Sequence, residues 1–159
     1  MKTLKAFQEK RGELLKMGKG FEFLDHTADV YVVAYGRNLE EAFENAALAT
    51  MEVMTDIKKV KPETLMGTEV EARDLHGLLY NWLEELLIKF DTDRLLFSKI
   101  KILKIEESIE GFSLRAELWG EEFDPRRHPQ KTGVKAVTYH LMDIGKIDGK
   151  VYLKFILDI

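Results

Sequence analysis

Val30–Met54, VYVVAYGRNLEEAFENAALATMEVM, changes its hydrophobic period part-way along. Up to Gly36 the residues are mostly apolar, aromatic or β-branched, as a strand favours. From Leu39 the apolar positions return at helical spacing: Leu39, Ala42, Phe43, Ala46, Ala47, Thr50, Met51 and Met54 share one stripe. Asn38, with Glu41 three residues later, has the pattern of a capping box at the joint. A strand therefore runs almost directly into an amphipathic helix whose Leu, Phe and Met stripe belongs to a core.

Working outward, GFEFL (20–24) reads as a preceding strand, with DHTAD (25–29) as the turn between the two or the opening of the second. TEVEA (68–72) alternates as a short strand. Asp74 then caps a second helix on Leu75, Leu78, Leu79, Trp82, Leu83, Leu86 and Phe90, with His76 one step off the stripe, at the surface. LLFSKIKILKIEE (95–107) and GFSLRAELWGEEF (111–123) are further strands. In the second, Phe112, Leu114, Ala116 and Leu118 alternate with Ser113, Arg115 and Glu117, which marks one covered face. Trp119 falls on the opposite, partly exposed side. DPRRHPQKTG (124–133) is a loop, and VKAVTYHLMDI and KVYLKFILDI are two last strands joined by a hairpin at Asp148-Gly149. The order β, β, α, β, α and four strands predicts an α+β two-layer sandwich, two helices on one face of a largely antiparallel sheet. Helices do not alternate regularly with strands, which excludes doubly wound and barrel folds.

A chain of 159 residues with 45% hydrophobic content is enough for one domain around one core. Cysteine is absent, which excludes disulfides, thiolate metal sites and a cysteine nucleophile, and points to the cytoplasm. A net charge of −4 argues against nonspecific nucleic-acid binding. Residues 1–19 are interrupted by charge too often for a signal peptide or a membrane span. They are expected to be an extension to the domain at 20–159, either a short helix on Leu4, Phe7, Leu14 and Leu15 or a mobile arm. One-third charged residues with little Asn or Gln lean toward a heat-adapted source.

No phosphate-binding glycine loop, nucleophile elbow or His-Glu-x-x-His helix is present. Two acidic places remain. Asp25 and Asp29 flank a turn, where aspartates commonly bond neighbouring amides. KFILDI (154–159) closes an apolar strand on Asp158 and a terminal residue, either fraying into water or meeting a cation. Asp29 opens one central strand and Asp158 closes another. Pairing of those strand ends would converge oxygen donors from Asp29, Asp158 and Ile159, a set suited to calcium, magnesium or manganese. His26, His128 and His140 lack the spacing of a zinc site, and His140, inside a strand, is expected to be hydrogen-bonded and structural. Arg126, Arg127, His128, Lys131 and Lys135 form a basic loop, read as a solvated face or, otherwise, a contact for an acidic partner or a nucleotide phosphate.

FLDHTADVYVVAYGRNLEEAFENAALATMEVMTD, LLYNWLEELLIKFD, GEEFDPRRH, VKAVTYHLM and the closing LDI, in that order, resemble the archease family over residues 20–159. The resemblance implies a regulatory protein rather than an independent enzyme. It would activate the RNA ligase RtcB, promoting its guanylylation and repeated turnover in tRNA splicing. A looser description is chaperone or modulator of RNA-processing enzymes. It further implies metal ligation by Asp29, Asp158 and Ile159, with calcium the expected ion and magnesium or manganese the alternatives, and leaves Asp25, His26 and the basic loop for partner contacts. A metal-dependent enzyme acting on a phosphate ester is the remaining alternative, with His26 its only base near the aspartates.

Overall fold

The computed structural model describes residues 20–24 and 28–159. The elements run β1 (Phe21–Leu24), β2 (Val30–Gly36), α1 (Leu39–Met54), a 3-10 turn (Ile57–Lys59), β3 (Thr64–Ala72), α2 (Leu75–Asp93), β4 (Leu95–Ser108), β5 (Gly111–Glu122), β6 (Ala136–Ile147) and β7 (Lys150–Asp158). This is the expected α+β order, and every strand pair is antiparallel. The strands divide between two sheets, of order β1-β2-β7-β6 and β3-β5-β4. Each helix touches both: α1 packs on β2 and β4, α2 on β6 and β3. Period-2 patterning identifies a strand's covered face but not its neighbours, so it left this division open. The TEVEA strand is also longer than its alternation suggested, because β3 starts at Thr64.

The helix starts follow from their caps. Asn38 accepts from the Glu41 amide at 2.8 Å and Asp74 from the Gly77 amide at 2.7 Å. The Glu41 carboxylate does not complete the box on Asn38; it takes the amide and Nε of Arg37 at 3.1 and 2.9 Å, one residue upstream. The predicted stripes are inside: Phe43, Met51, Leu78, Leu79, Trp82, Leu83 and Leu86 are fully buried. Leu114, Ala116 and Leu118 of β5 meet the same core, while Trp119 is partly exposed beneath the Lys99 ammonium.

Two backbone details shape the β6–β7 pair. Asp148 (φ 52°) and Gly149 (φ 76°) are both left-handed, the turn that matches the twist of the β6–β7 hairpin. Further along β6, pairing jumps from Thr138↔Ile156 to Asp143↔Lys154, so residues 139–142 stand opposite Phe155 alone. His140 lies in this bulge and is exposed, not held inside a regular strand as its alternation suggested. The extra residues push it out of the ladder.

Candidate functional site

The β2–β7 ladder ends at the pair Val30↔Leu157. Asp29 precedes Val30 and Asp158 follows Leu157, so the two carboxylates leave adjoining strand ends, both partly exposed. On the other side of β7, Ala136 pairs with Asp158 and the Lys135 amide donates to the Asp158 carbonyl at 2.7 Å. The end of β7 is thus held between β2 and the loop entering β6, while the Asp158 carboxylate projects from a fixed backbone. Ile159 follows at 37% exposure, and fraying is not needed to place these residues.

The donor set is two carboxylates and main-chain oxygen, without thiolate, and it suits a hard cation that completes its shell with carbonyls or water. Among the described residues no group of three or more His, Asp or Glu side chains is placed to hold a metal ion. Asp25 and His26 lie outside the described residues.

The GEEFDPRRH stretch folds into a second polar cluster, on Glu121. Glu121 is 8% exposed and His128 1%. Arg127 reaches both carboxylate oxygens, Nη2 to Oε1 at 2.5 Å and Nη1 to Oε2 at 3.1 Å. The Lys61 amide donates to Oε2 at 2.8 Å. His128 Nδ1 accepts from the Asp124 amide at 2.9 Å, which leaves the ring proton on Nε2 to be donated to Glu121 Oε2 at 2.9 Å. The loop bends so because the Asp124 carbonyl accepts from the amides of both Arg127 and His128, turning those side chains back over β5. Gly120, just before Glu121, leaves room for β4, since a Cβ there would stand 1.8 Å from the Leu96 carbonyl oxygen.

A model of the Archease protein family (MTH1598/TM1083) matches residues 21–159. Protein archease of Sulfolobus acidocaldarius is 48% identical over 139 residues, 87% of this chain and 98% of that protein. The chain belongs to the archease family. Protein archease of Methanothermobacter thermautotrophicus is 48% identical over 141 residues, 89% of this chain and 99% of its own. The solution structure of Methanobacterium thermoautotrophicum protein 1598 superposes with a TM-score of 0.78 at 48% identity, over 89% of this chain and 99% of that one. A Thermotoga maritima protein described as an archease, possible chaperone, gives a TM-score of 0.53 at 15% identity over 86% of this chain and 94% of its own, a likeness of fold alone.

In this archease the basic loop is a solvated face at Arg126, Arg127, Lys131 and Lys135, all exposed, but His128 is buried and most of the charges are paired. Arg127 and His128 serve Glu121, Arg126 pairs with Asp124 at 3.3 Å, and Lys131 with Glu52 at 2.7 Å. The sequence shows the charges but not the acidic residues that return to meet them. Of the three histidines weighed for zinc, His128 is committed to Glu121 and Asp124, His140 sits exposed on the β6 bulge, and His26 lies outside the described residues.

The guanidinium of Arg127, helped by the Lys61 amide and His128, holds the Glu121 carboxyl down at about 2. A carboxylate with a depressed native pKa stabilises the fold above its unfolded pKa and loses that contribution as pH falls through the native one. Stability is therefore expected to fall between pH ~4.5 and ~2 by about 2 kcal/mol from this residue, after discounting for water at the half-exposed Arg127. Urea melts across that range measure it; a flat profile would mean that Glu121 is as easily protonated folded as unfolded.

Proposed function

We propose that this archease is a metal-binding activator of the RNA ligase RtcB, promoting its guanylylation and multiple turnover in tRNA splicing. Asp29, Asp158 and a main-chain oxygen of Ile159 are the proposed ligands of one hard divalent cation, calcium first and magnesium or manganese as alternatives. The observation that carries the reading is the β2–β7 register, which brings residues 29 and 158 to adjoining strand ends. When bound, such an ion neutralises charge and orients phosphate oxygens, the help that attack on a nucleotide α-phosphate needs.

The chain's own part is to hold the two carboxylates on a rigid sheet end and to offer a partner a surface beside them. Tyr31, two residues from Asp29, reaches the bulge through its hydroxyl, which donates to the Leu141 carbonyl at 3.4 Å. There Tyr139 and Leu141 are 56% and 47% exposed, apolar surface of the kind that docks on another protein. Tyr139 is held by stacking on Tyr80, ring centroids 4.4 Å apart. The same exposed pair favours the second reading, a chaperone or modulator that holds other RNA-processing enzymes. An enzyme acting alone has less support, because His128 is committed to Glu121. The absence of cysteine suits work in the cytoplasm, and among the described residues no helix is long and apolar enough to cross a membrane.

Asp29→Asn and Asp158→Asn are each expected to weaken calcium binding at least about tenfold in calorimetric titration and to abolish stimulation of ligase guanylylation, with melting temperature preserved. Loss of the melt in either variant would make the aspartates structural and remove the site. Turnover of nucleotide or RNA by the protein alone would replace the activator with an enzyme.

A further inference from the structure

The ends of α1 and α2 meet β4 and the 123–135 loop around a cavity of about 320 Å³, within the size class of small-molecule sites. It involves neither aspartate of the proposed metal site. We propose that it binds a small organic anion with a planar apolar body, the anionic group meeting Arg94 and Thr55 and the body lying against Phe90 and Phe123.

Thr55 lines the cavity, is 1% exposed, and its hydroxyl has no hydrogen-bond partner among the described residues. Buried hydroxyls are ordinarily paired, and the other fully buried threonine among the described residues obeys: Thr50 donates to the Ala46 carbonyl at 2.9 Å. Thr55 caps the end of α1 with an extended backbone (φ −155°, ψ −179°); its amide donates to the preceding-turn carbonyl of Met51 at 2.9 Å, but its hydroxyl does not bond that carbonyl as Thr50's bonds Ala46. Its hydroxyl is a donor and acceptor waiting on the cavity wall.

Arg94 supplies the charge. It stands just past α2 in the left-handed region (φ 57°), where glycine is usual. Its guanidinium lies 4.3 Å from the Phe90 ring centre and 5.6 Å from that of Phe123, and it makes no ion pair among the described residues. A cation held over one ring and beside a second, but lacking a counter-charge among the described residues, can still take a bidentate anion.

Helix C-termini ordinarily repel anions, but the carbonyls at the end of α1 are already taken: Lys131 donates its amide to Met54 at 3.1 Å and Thr132 to Val53 at 3.2 Å. Lys131's ammonium is occupied by Glu52. Asp91, exposed on the rim, opposes a second negative charge, so a monocarboxylate is preferred to a dianion.

The test is calorimetric titration of the full chain with benzoate, phenyl phosphate, benzyl alcohol and inorganic phosphate, alongside Thr55→Val and Arg94→Gln. Benzoate is expected to bind one per chain and raise the melting temperature, with benzyl alcohol and inorganic phosphate at least about tenfold weaker. Phenyl phosphate reports whether the anion is a carboxylate or a phosphate ester, and saturable binding of either supports the site. Both substitutions should weaken benzoate about tenfold, and Thr55→Val should melt no lower than the parent, since it removes an unpaired hydroxyl. Benzyl alcohol or inorganic phosphate binding as well as benzoate, no saturable binding by either aromatic anion, or affinity untouched by Arg94→Gln would each overturn the proposal. So would a lower melting temperature for Thr55→Val, because that hydroxyl would then be satisfied within the fold.

Discussion

Trp82→Ala is expected to lower the unfolding free energy by about 3 to 5 kcal/mol, read from urea melts at unchanged slope. Trp82 is completely buried in the middle of α2. Its indole Nε1 donates to the Phe43 carbonyl of α1 at 2.9 Å, tying together the two helices that both sheets share. Phe43's carbonyl sits inside α1 and keeps its helical partner, so the loss is mainly the cavity where the ring stood. Trp119→Ala is the comparison. That ring is partly exposed under the Lys99 ammonium, 4.5 Å from its centre, and its removal is expected to cost about 1 kcal/mol. If Trp119 proved the more damaging change, the covered face of β5 would be the opposite one from Leu114, Ala116 and Leu118.

Such residues were legible because burial followed a period. The stripes of α1 and α2, the covered face of β5 and both helix caps depend on spacing within one element, and local spacing is what a sequence displays. The adjoining placement of Asp29 and Asp158 was legible for a related reason: the two stand at the ends of two strands, and the β2–β7 pairing brings those ends together. Long-range partners were not legible. Glu44 lies on the polar side of α1, yet its carboxylate accepts from the Ile102 amide at 2.8 Å, where the β4 ladder slips, and burial pushes its pKa up. Glu121 shares the outward phase of β5 with Glu117 and Trp119 and reads as solvated. It is buried because the 123–135 loop returns over it, and no alternation within the strand encodes a loop's return. The reading of that loop as a solvated face holds for its exposed lysines and arginines and misses only the buried His128 and the partner Glu121.

Glu121→Ala is accordingly expected to cost about 3 kcal/mol, although alternation alone would call it a surface change. The substitution takes the acceptor from three donors at once. Arg127, half exposed, can turn to water and to Asp124, whose Oδ2 is already 3.6 Å from its Nε. His128 and the Lys61 amide have less freedom, because the ring is 1% exposed and its other nitrogen is held by the Asp124 amide. Glu121→Gln should recover only part of the loss, since its amide nitrogen would face a donor whichever way it was turned. The acid limb separates this account from a general loosening of the core. Protonating Glu121 in the parent does what the alanine does permanently, so the two stabilities should draw together as pH falls from about 4.5 toward 2. A constant gap across that range would assign the loss to packing. The loop also carries Lys135, whose amide holds the Asp158 carbonyl, and Gln130–Val134, which wall the cavity beside Arg94. Weaker calcium binding and weaker benzoate binding in Glu121→Ala, at a temperature where it remains folded, would show that one buried carboxylate positions both sites; unchanged affinities would confine its role to stability.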